Sequence, residues 1–244
     1  MFTFFVKAVS CHSPARRFRL LFVFLLTITL LPLSGCRNSI DPSALNRLAK
    51  TDADMMADSS LREMNRLMKD LLVKLYKRNP GELDKVSGMS IGQRQDQIFD
   101  KSGRLIFKEL QGKQGTDALG LAFHPDYTGD RVFALIVGLV GMTRSAYNWQ
   151  DEQFMFDSLD PQKLFNSARN IEVLAWRLSN SKGSTGELLL LSNSQPGEEA
   201  NLSYERLFGK MIAIQDLMAF VVAGKWDRGI NHMVMRAVFL PMGL

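Results

Sequence analysis

Cysteine and histidine are scarce in this chain of 244 residues: Cys11 and Cys36, and His12, His124 and His232. So few cysteines exclude a disulfide framework. There is no His-Glu-x-x-His and no pair of cysteines at ligand spacing, so no zinc or other metal site is expected. No segment repeats at a fixed period. Acidic residues are missing from residues 1–35, and this absence decides how the charge is read. The formal net charge of +5 would suit nucleic acid or a membrane surface. Yet Lys7, Arg16, Arg17 and Arg19 all lie in that acid-free stretch. Of the chain's 30 Lys and Arg, 26 remain outside it, against 25 Asp and Glu. The rest of the chain is close to neutral, and no nucleic-acid partner is expected.

What is present first is a leader with the three parts of an export signal. The basic region carries Lys7, His12, Arg16, Arg17 and Arg19. The apolar region, "LLFVFLLTITLLPL", spans residues 20–33. Fourteen residues are short of the roughly 20 that span a bilayer. The third part is Leu33-Ser34-Gly35-Cys36. This quartet resembles the lipobox of bacterial lipoproteins, matching Leu, small residue, Gly or Ala, and Cys at every position.

The resemblance implies that Leu33, Ser34 and Gly35 are read by the signal peptidase and that residues 1–35 are removed. It also implies that the Cys36 thiol carries a diacylglyceryl group and that the new amine is acylated. Two or three chains would hold firmly, since one gives only marginal binding and stable anchoring takes two signals. Beyond residue 35, Cys36 is the only cysteine, and acylation would remove the liability of a lone free thiol. In Gram-negative lipoproteins an Asp after the cysteine holds the protein at the inner membrane. Arg37 stands there instead, so the resemblance favours the periplasmic face of the outer membrane, with the inner membrane as the alternative.

Residues 36–43 then read as the lipidated N-terminus and a short linker, and 44–244 as one periplasm-facing helical domain. The linker 37–43 reaches about 25 Å at most. Leu45, Leu48 and Ala49 suggest a short first helix. Apolar residues from Leu61 to Tyr76 recur at three and four, which predicts a helix over 61–78. Ser60 and Glu63 have the spacing of a capping box for it, and Asn79-Pro80-Gly81 ends it. A single longer helix from near Ser43 is the alternative. Residues 81–115 are polar and glycine-rich, with one or two short helices. "RLIFKEL", 104–110, is a strand or a helical turn.

"RVFALIVGLVGM", 131–142, is apolar all round. With Asp130 as its cap it predicts a buried central helix near 131–147, with Gly138 and Gly141 admitting a neighbour closely. Asp160-Pro161 starts another helix, to about Asn180. Further helices are expected over about 201–223 and 226–240. The expected fold is all-α, an irregular orthogonal bundle around the central helix.

Candidate sites are few. Gly88-Met89-Ser90-Ile91-Gly92 matches the G-x-S-x-G of α/β-hydrolases, which implies a serine nucleophile with His124 or His232 as base. The elbow requires a buried strand before it, and "GELDKVS" is no such strand, so a helix cap is the competing reading. "FHPDYTGD", 123–130, gathers His124, Asp126, Tyr127 and Asp130. Asp126 and Asp130 alone fall short of the six or more oxygens of a calcium site. "KLYKRNP", 74–80, resembles the end of one tetratricopeptide helix. The chain is thus expected to be a non-enzymatic lipoprotein with no cofactor besides its covalent lipid. It would bind the membrane through its acyl chains and act on an envelope protein partner. A carrier of an apolar ligand in a methionine-lined groove is the alternative, and a hydrolase at Ser90 a further one.

Overall fold

The computed structural model describes residues 50–154, 158–195 and 197–226. The leader, the lipobox quartet, Arg37, the short helix expected at 45–49, His232 and nearly all of the helix expected over 226–240 lie outside them. The described residues form an all-α fold of seven helices, with no strand beyond one isolated antiparallel bridge between Lys182 and Leu188. The helices are α1 (Asp52–Arg78), α2 (Pro80–Asp84), α3 (Ile91–Phe99), α4 (Gly115–Ala122), α5 (Arg131–Ala146), α6 (Pro161–Asn180) and α7 (Ser203–Trp226).

α5 is the expected central helix. Asp130 caps it by accepting from Phe133 N at 2.9 Å, and every residue of it except Ser145 is buried. α4 packs along α5, α6 packs along α7, and α1 touches both α5 and α7. The two glycines of α5 set the distance to α4. A Cβ on Gly138 would lie 2.6 Å from Leu119 N, and one on Gly141 3.1 Å from Gly115 N. Glycine here makes room for a neighbour's backbone.

α5 also carries a buried arginine near each end, and both close the C-terminal side of a shorter helix. Arg131 donates to the carbonyls of Ala122 and His124, at 2.8 Å each, and of Pro125 at 3.1 Å, just where α4 stops. Arg144 donates to Gly103 O at 3.2 Å and Ile98 O at 3.4 Å, where α3 stops. Helix ends leave carbonyls without intrahelical partners, and a cation there also meets the negative end of the dipole. Burial lowers the pKa of both guanidinium groups.

The expected start of α1 is corrected. Ser60 lies inside the helix, and the capping box belongs to Thr51 and Asp54. Ala57 is buried and carries the stripe of Leu61, Met64, Leu67, Met68, Leu71, Leu72 and Leu75 back toward the new start. Asn79 ends the helix and binds Leu191 in both directions, at 2.8 and 2.7 Å. In "RLIFKEL" only Lys108–Leu110 is regular, as a 3-10 turn. α4 is a helix that the apolar periodicity does not announce. α6 begins at Asp160-Pro161 as expected.

Candidate functional site

Two short elements and the start of α5 meet at a buried polar cluster. On α3, Arg94 shares a face with Ile91 and Ile98, so the helix turns a charged residue inward. Its guanidinium is fully buried and forms two hydrogen bonds to Glu109, at 2.8 and 2.9 Å. It also donates to Gln97 at 3.0 Å and pairs with Asp130 Oδ2 at 3.3 Å. The guanidinium carbon lies 3.8 Å from the centroid of the Phe133 ring, a favourable cation–π placement. From α1, the Tyr76 hydroxyl donates to Asp130 Oδ2 at 2.7 Å.

Burial pushes the Asp130 carboxyl above its ordinary pKa, while the Phe133 amide and the Tyr76 hydroxyl pull it back. Burial and the facing Asp130 raise the Tyr76 phenol well above its usual range. Burial works against the charge of Arg94, but Glu109, Asp130 and Tyr76 outweigh it and its pKa is raised. Removing Arg94 leaves the buried Asp130 carboxylate without its cation, which costs about 3–5 kcal/mol.

Outside this cluster lies an open cleft of about 970 Å³. Glu109, Lys113, Asp117, His124, Asp126 and Tyr127 are among its lining residues. Glu109 belongs to both places: it holds Arg94 inside, and its side chain is 37% exposed. Burial pushes the Tyr127 phenol up to about 12. The lining includes no methionine. Met64, Met68, Met142, Met211 and Met218 are all buried in the core instead.

The residues singled out from the sequence are dispersed. Ser90 caps α3, accepting from Gln93 N at 3.2 Å, while Gln93 Oε1 accepts from Ser90 N at 2.8 Å. A turn precedes it, with Gly88 at φ +74°, in place of the strand a nucleophile elbow needs. His124 and Asp126 are exposed on the cleft wall, 3.9 Å apart. Asp130 points inward to Tyr76, Arg94 and Phe133, so the pair Asp126–Asp130 is not gathered around one cation. No group of three or more metal-ligating side chains occurs among the described residues. Sequence reasoning missed Arg94, Glu109 and Tyr76. The available signal was the phase of Arg94, which lies between Ile91 and Ile98 on one helix face.

No protein-family model, curated protein or solved structure matches this chain.

Proposed function

We propose that this protein is a lipid-anchored bacterial envelope lipoprotein, held by acyl chains on Cys36. Its helical body acts as a non-enzymatic binding or scaffold component through protein–protein contacts. The observation that carries this reading is Leu33-Ser34-Gly35-Cys36, placed directly after a basic and then an apolar segment. The near-neutral charge beyond residue 35 and the single cysteine there support it. Arg37 after the cysteine supports the outer membrane, periplasmic face.

The test is incorporation of radiolabelled palmitate. Cys36→Ala should abolish it, and unchanged labelling would sink the reading. The partner is sought by crosslinked pull-down from envelopes with the wild-type chain. A hydrolase at Ser90 is tested separately: fluorophosphonate labelling that disappears in Ser90→Ala would replace the scaffold reading with an enzymatic one.

A further inference from the structure

Large apolar side chains left in water are informative when they cluster. Among the described residues the exposed large apolar side chains are Met55, Ile106, Trp176, Leu202, Leu217 and Phe220, and of these Met55, Leu217 and Phe220 are 42%, 51% and 75% exposed. They belong to two helices, α1 and α7, whose alignment can be read from their contacts. The Tyr204 hydroxyl donates to Lys74 O at 2.9 Å. Lys210 acts on the charge of Glu63. Tyr147 bonds both Ser60 and, at 3.3 Å, Gln215. Positions 74, 63 and 60 of α1 therefore face 204, 210 and 215 of α7, so the helices run antiparallel. The first turns of α1 are then level with the C-terminal turns of α7. Met55, Leu217 and Phe220 lie at one end of the bundle.

The chain enters the body at that same end. Lys50, two residues before α1, is fixed there by Asp58 and by Glu152 at 3.1 Å, over the Phe154 ring. From Cys36 to Lys50 the chain can reach about 50 Å at most. Along α7 the outward residues Ala213, Leu217, Phe220 and Gly224 follow at intervals of four, three and four, which is one helical stripe. The inner side of α7 is core, with Tyr204, Phe208, Met211, Met218 and Val222 buried.

We infer that this end of the body, led by Phe220 and Leu217, rests on the lipid surface to which Cys36 is anchored. The inference rests on the lipoprotein reading. The occupant is a bilayer because the anchored chain and the apolar side chains emerge together. Exposed Asp52, Asp151 and Glu152 near the same end offer no attraction to anionic headgroups, so the contact is apolar and zwitterionic lipid suffices. Few side chains are involved, and the tether supplies the effective concentration that makes a weak contact persist.

The lipidated full-length mature protein is reconstituted in phosphatidylcholine vesicles that carry a nitroxide quencher near the headgroups. Acylation occupies Cys36, so an introduced cysteine is the only free thiol for an environment-sensitive fluorophore. Phe220→Cys and Leu217→Cys report the proposed contact. Ser184→Cys, in the loop after α6, reports the opposite end. The label at 220 or 217 should be quenched about two-fold or more, as for a side chain at the acyl boundary, and the label at 184 hardly at all. Circular dichroism confirms that each variant is folded.

Palmitate incorporation is read on the same preparations. Palmitate present with equal quenching at 220, 217 and 184 overturns this inference and leaves the anchor standing. A blue shift at 220 without quenching means that protein covers the stripe, a second copy or residues 227–244, and also overturns it. No palmitate removes the anchor reading, and this inference with it.

Discussion

α1 and α7 are the two longest described helices, and they lie side by side, yet they treat their outer faces in opposite ways. α1 buries one apolar stripe and turns ion pairs outward, with Arg66 bonded to Glu63 at 2.6 Å and to Asp70 at 2.8 Å. α7 buries one side and keeps apolar residues on the other as well. Over Ser203–Gly224 its mean hydropathy is 1.6, which makes it the one described helix long and apolar enough to cross a membrane. A packed core helix meets the same criterion, and α7 is packed against α1 and α6. The comparison separates two uses of apolar residues. On α1 all but Met55 are explained by the core. On α7, Leu217 and Phe220 are not.

Each helix also sends polar groups into the core, and two of them differ in what they reach. α1 contributes Tyr76 to the cap of the central helix. α7 contributes Gln215, which accepts from Tyr147 at 3.3 Å and donates to Ser167 at 3.2 Å. The first of these reaches a carboxylate and the second only neutral groups, so they differ in strength.

The comparison can be broken in several places. Leu71→Ala on α1 and Met211→Ala on α7 both open a cavity at a fully buried site. Each should cost about 2–5 kcal/mol in urea denaturation. A much smaller cost at Met211 would mean that α7 is not a core helix.

Tyr76→Phe should cost about 1.5–3 kcal/mol, because a hydrogen bond to a charged group is lost. Gln215→Leu should cost about 1 kcal/mol. Equal costs would remove the asymmetry. Thr51→Ala removes the cap of α1 and should cost about 1 kcal/mol. No loss would return the helix start to Ser60.

The pH dependence follows from Asp130. Burial raises its folded-state pKa above the ordinary 3.8, so the folded state holds this proton to higher pH than the unfolded chain. The contribution is therefore present below the ordinary carboxylate pKa and is lost as pH rises through the raised value. Tyr76→Phe removes a donor that favours the carboxylate, so the loss should extend to higher pH. Urea midpoints measured from about pH 4 upward read this directly. A variant profile that parallels the wild type would contradict it.

The smallest stability effect is expected at Phe220→Ser, within about 0.5 kcal/mol. The same change should weaken contact with lipid. A large loss of stability would place Phe220 in the core.

The helix pattern was legible wherever cap and periodicity agreed. Asp130 with the apolar run behind it marked α5, and Asp160-Pro161 marked α6. Ser60 and Glu63 have the right spacing, but Thr51 and Asp54 hold the helix start. α4 was not legible, because Gln114 provides no side-chain cap and the helix depends on distant groups, the bare backbone at Gly138 and the Arg131 clamp. The buried cluster was hidden for the same reason. Tyr76 and Asp130 are 54 positions apart and Arg94 and Glu109 15, and local pattern does not report such pairs. A charged Arg94 on a short polar helix looks like surface until its partners are placed.

The central claim is the anchor. The most direct measurement is the intact mass of the protein purified from membranes, with fragmentation of its N-terminal peptide. The result expected is a chain that begins at Cys36, carries a diacylglyceryl group on sulfur and an acyl group on nitrogen, and lacks residues 1–35. A chain that retains residues 1–35, or one with a free thiol at Cys36, would contradict it.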